Sequence, residues 1–273
     1  MTTSSILLLV GFGLIAGLGI TAVGPGGVFA TVGLFLVSGR SPAVIAGTAI
    51  ATHLATGGLG SLAYHRSGEL RRPETRRVAG LLMISAAIGT PLGVLINSFA
   101  PARLFGILLA LFLVAIAALV WLRSARIATG GTHPHHSAAF LVALGTGIAI
   151  AGGMFGVGGP LLTVPLLLLA GTPVLSALGA AQAQSIVVAG MGTLGYLIRG
   201  TIDPGLVAIV GIPELCGVLV GWRLAQALPE RTLTRALIAA LFASAGLVLV
   251  HGSISPIRSP RGIAQIRHVS AIR

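Results

Sequence analysis

Apolar residues run through this chain in long blocks, separated by short segments that hold most of its polar and charged positions. A helix needs about 20 residues to cross roughly 30 Å of hydrocarbon. By that measure the spans are 6–37, 42–64, 78–96 and 102–122, then 137–170, 173–198, 206–227 and 233–250. Two of the eight, 6–37 and 137–170, are longer than a crossing requires and are interrupted by glycine and proline. The pattern predicts an all-α integral membrane protein of about eight transmembrane helices in two homologous four-helix halves, the first helix of each half broken by a Gly/Pro motif. Residues 1–122 are then a first repeat, 123–136 a cytoplasmic connector, 137–250 a second repeat and 251–273 an arginine-containing cytoplasmic tail.

An internal register supports the two halves. A shift of 132 residues carries Gly24, Gly26 and Gly27 onto Gly156, Gly158 and Gly159, and Gly47, Gly60, Tyr64 and Gly68 onto Gly179, Gly192, Tyr196 and Gly200. After a four-residue difference, Gly89, Gly93, Pro101 and Arg103 fall on Gly217, Gly221, Pro229 and Arg231. The matched residues are those that fix backbone shape.

Composition agrees with the pattern. The chain is 55% hydrophobic and 8% charged, with a mean hydropathy of +1.02, against about 25% charged in a soluble domain. Its outer surface must face lipid. All seventeen basic residues are arginine, and the formal charge is +12. They sit between apolar runs, which suits membrane orientation better than phosphate binding, and no nucleic-acid partner is expected. Placing the loops 65–77, 123–136 and 199–205 and the tail inside puts twelve arginines there. Five, Arg40, Arg103, Arg223, Arg231 and Arg235, stay on or near the other side. The expected location is the bacterial inner (plasma) membrane, multi-pass, with both termini cytoplasmic. The start of the chain reads as a retained span without a basic n-region. The single cysteine, Cys216, excludes an intrachain disulfide and reads as a small buried thiol.

The interruptions, Gly-Ile-Thr-Ala-Val-Gly-Pro-Gly-Gly at 19–27 and Ala-Gly-Gly-Met-Phe-Gly-Val-Gly-Gly-Pro at 151–160, carry the candidate chemistry. Proline removes a helix hydrogen bond, and glycine allows backbone angles other residues avoid. Broken backbone at membrane depth survives only against protein or a watery cavity. A half-helix starting near Val28 and another near Leu161 would each point free N–H groups and a positive dipole end at an anion. Close helix packing is the competing explanation of such glycines. Candidate substrate-binding residues are Gly24, Gly26, Gly27, Gly156, Gly158 and Gly159, with His53 and Gln182.

The paired Gly-x-Gly-Gly breaks, the Tyr-x-x-x-Gly after the second span of each half and the four-plus-four layout resemble the TauE/SafE sulfite exporter family over about residues 6–250. The segment 156–165, Gly-Val-Gly-Gly-Pro-Leu-Leu-Thr-Val-Pro, is the more typical copy; the first departs by placing Pro25 inside its glycine cluster. The resemblance implies transport of small sulfur-containing anions such as sulfite or organosulfonates.

Charges inside a span cost at least about 2.5 kcal/mol on insertion scales. Glu214 is the acidic residue well inside one, and its position in the first half holds Ala86. It is a candidate for proton coupling; a carboxylate at a helix start after a kink at Pro213, or an arginine partner, are the alternatives. His53, opposite Ser185 in the register, either lines a polar path with Thr48, Thr52, Gln182 and Gln184 or makes a helix-to-helix hydrogen bond. Gln182 and Gln184 are two apart and cannot share a helix face, so at most one points at substrate. Tyr64 and Tyr196 read as interfacial anchors. His133, His135 and His136 lack carboxylate or cysteine neighbours, so a solvated connector is preferred to a metal site.

These readings converge on a secondary transporter of small anions, with no cofactor and no ATP-binding loop, since the chain lacks lysine. Its partners are the anionic substrate and the lipid bilayer, with a homo-oligomer left open. An anion channel, a carrier of an unrelated small solute and, more remotely, an intramembrane enzyme are the rivals.

Overall fold

The computed structural model describes residues 1–22, 24, 26–66, 68–126, 137–227 and 230–254. Pro25, the histidines at 133, 135 and 136, and the tail beyond 254 lie outside the described residues. Ten α-helices follow in order: α1 Thr3–Ala22, α2 Val28–Val37, α3 Pro42–Arg66, α4 Pro73–Ser98, α5 Ala102–Arg126, α6 Ala138–Phe155, α7 Pro160–Leu169, α8 Val174–Ile198, α9 Pro204–Ala227 and α10 Glu230–Ile254. No strand occurs among the described residues.

Local sequence explains the helix starts. Proline opens α3, α4, α7 and α9, where its missing N–H costs nothing. Ser137 caps α6, its hydroxyl oxygen accepting from the Phe140 N–H at 3.1 Å. Among the described residues, seven helices are long and apolar enough to cross a membrane: α1, α3, α4, α5, α6, α8 and α9. Their outer faces expose residues such as Ile84, Ile88, Leu92 and Leu219, a surface that only lipid covers without penalty.

Each interrupted segment reverses direction at its glycine turn. Gly19 and Gly26 lie against each other, and a Cβ at Gly33 would come within 2.6 Å of the Phe12 ring. Helices α1 and α2 are therefore antiparallel, and the segment 6–37 turns back to the face it entered from. In the second segment, Leu141 near the start of α6 and Leu167 near the end of α7 share one apolar cluster with Ala79 and Leu82. The sequence left open whether each segment crosses or turns back, because glycine at the turn permits reversal as readily as a kink.

Close crossings at glycine hold the bundle. A side chain at Gly17 of α1 would overlap the Glu214 carbonyl of α9, and one at Gly93 of α4 would overlap the Ile150 carbonyl of α6. Small residues of this kind let membrane helices approach backbone to backbone, where dispersion rather than water exclusion drives association. Helix α3 packs on α8, and α5 on α10.

Contacts at the helix ends sort the loops between the two faces. Arg40, after α2, pairs with Asp203, before α9, at 2.9 Å. His251 near the end of α10 lies edge-on to Phe35 of α2, with ring centroids 5.7 Å apart. On the opposite face, a short 3-10 helix, Glu69–Arg71, meets the start of α8, the Ser176 hydroxyl donating to Glu69 Oε1 at 2.8 Å. This overturns the sequence-based sidedness, which separated Arg40 from the loop 199–205 and grouped that loop with 65–77. The arithmetic failed because it counted each interrupted segment as a crossing.

Two further expectations fail on burial. Cys216 is exposed, because Glu214 turns inward and a residue two positions on faces the other way along a helix. Tyr196 is fully buried, its hydroxyl donating to the Gly153 carbonyl at 2.7 Å, so it is a packing element and no interfacial anchor.

Candidate functional site

Between the two glycine turns lies a cavity bordered by Gly24, Gly27, His53, Gly158, Gln182 and Ser185, with apolar walls from Ile20, Val157 and Leu161. Residues from α3 and α8 thus close a space whose floor and roof are the starts of α2 and α7. The room within is about 20 Å³, enough for roughly one water. A larger occupant requires the walls to part.

The turns are built for close approach. Gly24 and Gly156 adopt φ of +102° and +72°, the left-handed region that a Cβ makes costly. Each donates a helix-closing hydrogen bond: the Gly24 N–H to Gly19 O at 2.9 Å, and the Gly156 N–H to Gly152 O. Helices α2 and α7 then begin at Gly27 and Gly159, neither capped by a side chain. At α2 the Phe29 and Ala30 N–H groups already donate to Gly26 O and Gly27 O, at 3.1 and 3.3 Å, and Pro160, first in α7, has no N–H. What both starts present is the positive end of the helix dipole.

Side chains complete the lining. His53 is buried, with Nε2 3.2 Å from the Gly27 carbonyl and Nδ1 3.0 Å from Thr52 Oγ1. A Cβ at Gly27 would collide with the imidazole edge, at 2.5 Å from Nε2, so glycine there is what lets the ring reach the turn. Glu214 of α9 stands behind His53, with Oε1 3.3 Å from Nδ1 and no exposed surface. The Thr52 hydroxyl is the other polar group beside its oxygens.

The sequence candidates separate on this geometry. Gly24, Gly27, His53, Gly158 and Gln182 border the cavity. Gly26 closes the α1–α2 turn against Gly19, and Gly156 presses on Ala46 of α3. Gly159 contacts Ser185 N, Ala181 O and Gln184 Oε1. These three serve packing and do not line the cavity. Gln184 accepts from the Thr163 hydroxyl, and Thr48 accepts from the Asp203 N–H at 3.2 Å, so neither joins the lining.

The pairing of His53 with Glu214 was missed. They are distant in sequence, and the only available signal was that glycine-rich faces of α1 and α9 must meet, which carries Glu214 to the first turn. Ser185 was noted only as the counterpart of His53. Thr56, whose hydroxyl donates to the His53 carbonyl at 3.1 Å, carried no signal.

Comparison with known proteins fixes the relationship. Residues 9–248 match the model of the family described as Sulfite exporter TauE/SafE. The chain belongs to that family. The TauE/SafE chain is also 28% identical over 211 residues to the "Probable membrane transporter protein YdhB" of Bacillus subtilis (strain 168), an alignment covering 75% of this chain and 83% of that relative. No solved structure matches it. Family and relative both point to a membrane transporter and away from an enzyme.

Proposed function

We propose that this protein is a secondary transporter of small anions, sulfite or organosulfonates in particular, with one substrate site between the two glycine turns. The observation that carries the reading is the meeting of two uncapped helix N-termini, at Gly27 and Gly159, beside a cavity that also receives His53, Gln182 and Ser185. Backbone N–H groups and neutral donors suit a compact oxyanion, which offers acceptors on every side. The family description supplies the sulfur-oxyanion class.

The halves 1–122 and 137–250 are read as homologous repeats of inverted orientation. Support comes from the matched glycines and from reciprocal packing: α1 lies on α9 as α6 lies on α4. Each half then contributes a re-entrant hairpin and three crossings. Rocking one half against the other would open the site to either side in turn.

Regrouping the loops also revises the orientation within the bacterial plasma membrane. Ten arginines, at 66, 71, 72, 76, 77, 123, 126, 223, 231 and 235, fall toward the face of the Glu69–Arg71 turn; seven, at 40, 103 and 199 and, following α10 in sequence, at 258, 261, 267 and 273, fall toward the other. The basic face is taken as cytoplasmic, which puts α1's start and α10's end outside. In a Cys216→Ala background, Arg199→Cys should react with an impermeant thiol reagent from outside and His65→Cys should not.

Transport itself is tested by counterflow in proteoliposomes, with labelled sulfite or methanesulfonate exchanging against unlabelled anion. Saturable exchange, abolished by Gly158→Leu in protein that remains folded, is the expected result, since Gly158 borders the cavity. Flux that rises linearly with concentration would favour a channel, and an unimpaired Gly158→Leu variant would remove the site.

A further inference from the structure

Both ring nitrogens of His53 face acceptors. Nε2 lies against the Gly27 carbonyl, which can only accept. Nδ1 lies between Glu214 Oε1, at 3.3 Å, and Thr52 Oγ1, at 3.0 Å. The Thr52 hydroxyl hydrogen is already directed to the Ala49 carbonyl at 2.8 Å, which leaves its oxygen to accept. A neutral imidazole has one N–H and cannot serve both sides. The contacts are satisfied by an imidazolium beside a carboxylate, or by a neutral ring with the carboxyl proton shared toward Nδ1. Either arrangement holds one proton on the pair and has no net charge.

Among the described residues of the helices around the pair, no other charge balances it. Helices α1, α2 and α7 contain no titratable side chain. On α8 the sole one is Tyr196, whose hydroxyl is committed to Gly153 O. On α3, Tyr64, His65 and Arg66 lie at the far end of the helix, and on α9 Cys216 faces outward while Arg223 lies more than two turns from Glu214. Asp203 is held by Arg40 at the face. A net charge at this depth would be uncompensated and expensive.

We propose that His53 and Glu214 form the proton site of the carrier, and that each univalent anion moves together with one proton, electroneutrally. The inference rests on the anion site argued above. Empty, the pair carries one proton and is neutral. An anion entering beside Gly27 adds a negative charge, which a second proton cancels by leaving an imidazolium and a neutral carboxyl. His53 is the member that touches the cavity. Glu214 is a positioning residue that keeps its ring between two acceptors. The stoichiometry follows from capacity, since two groups already holding one proton accept one more.

The test uses methanesulfonate, an anion that stays univalent, in proteoliposomes of the full chain. Counterflow without gradients first establishes transport. With the potential clamped at zero, an outside solution one pH unit more acid should concentrate the label about ten-fold, the ratio for one proton per anion. An inside-negative potential at equal pH should leave its distribution unchanged. His53→Gln should lose pH-driven accumulation, because a lone carboxyl that is neutral when empty has no second site to fill. Glu214→Gln should keep the one-to-one ratio, because the imidazole alone can pass from neutral to charged, while the pH of half-maximal flux moves. Counterflow without pH-driven accumulation, accumulation that follows the potential, or a ten-fold ratio retained in His53→Gln would each overturn the proposal. Absence of counterflow for methanesulfonate and bisulfite alike would overturn the transport reading and this inference with it.

Discussion

The two glycine turns share a sequence register and differ in what stands behind them. Behind Gly27 are an imidazole and a buried carboxylate, whereas the matching positions in the other half are Ser185 and Ala86. Gly24 borders the cavity, and a Cβ there would meet open space; Gly156 presses directly on the Ala46 backbone. The last carbonyl of α6, at Phe155, is held by the Thr31 hydroxyl at 2.9 Å, while the matching threonine, Thr163, donates to Gln184. One turn is therefore pressed against α3 at Gly156 and the other is backed by ionisable groups. On the proposed reading, two related helix ends would serve one anion, and only one of them would have a means of responding to protons.

Exchanging or removing these features should separate the turns. The largest effect is the loss of pH-driven accumulation in His53→Gln, from about ten-fold per pH unit to none, with no counterpart on substituting Ser185. Next are the turn glycines. Alanine at Gly24 or Gly156 incurs about 1–2 kcal/mol for its left-handed backbone, and at Gly156 the overlap with Ala46 adds about 1–3 kcal/mol. Thermal unfolding in detergent should therefore rank Gly156→Ala clearly below Gly24→Ala. Equal melting temperatures would mean the second turn is no more tightly packed than the first.

Tyr196→Phe should come third. It strands the Gly153 carbonyl in the interior and costs about 1–3 kcal/mol, whereas Tyr64→Phe, at a half-buried position, should cost less. The smallest effect is expected of Ser185→Ala. Losing one neutral hydrogen bond to the anion is worth about 0.5–1.5 kcal/mol, so KM for counterflow should rise about two- to ten-fold with the pH dependence unchanged. A change in proton coupling in that variant would erase the distinction between the turns.

The sequence made the helical membrane class readable, since 8% charge cannot cover a soluble surface. It also drew attention to both glycine clusters. It could not reveal that each cluster reverses the chain, because glycine and proline permit a kink and a hairpin equally; the loop sidedness failed for the same reason. Among the candidates, Gly24, Gly27, His53, Gly158 and Gln182 meet at the cavity, but Gly26, Gly156 and Gly159 are indistinguishable from them by residue type and differ only in what they pack against. The His53–Glu214 pair depends on a helix crossing between distant segments. Glu214 stood out as a buried charge needing a partner, but a charge announces the need and not the partner's name.

The central claim is one anion site between the two turns. Selenite, the heavier analogue of sulfite, provides a direct view of it. In crystals of transport-competent protein soaked with selenite, the account predicts a single anomalous selenium peak between Gly27 and Gly158, within hydrogen-bond reach of the α2 and α7 N-termini and of His53. A peak elsewhere in the bundle, or none at concentrations that saturate counterflow, would contradict it.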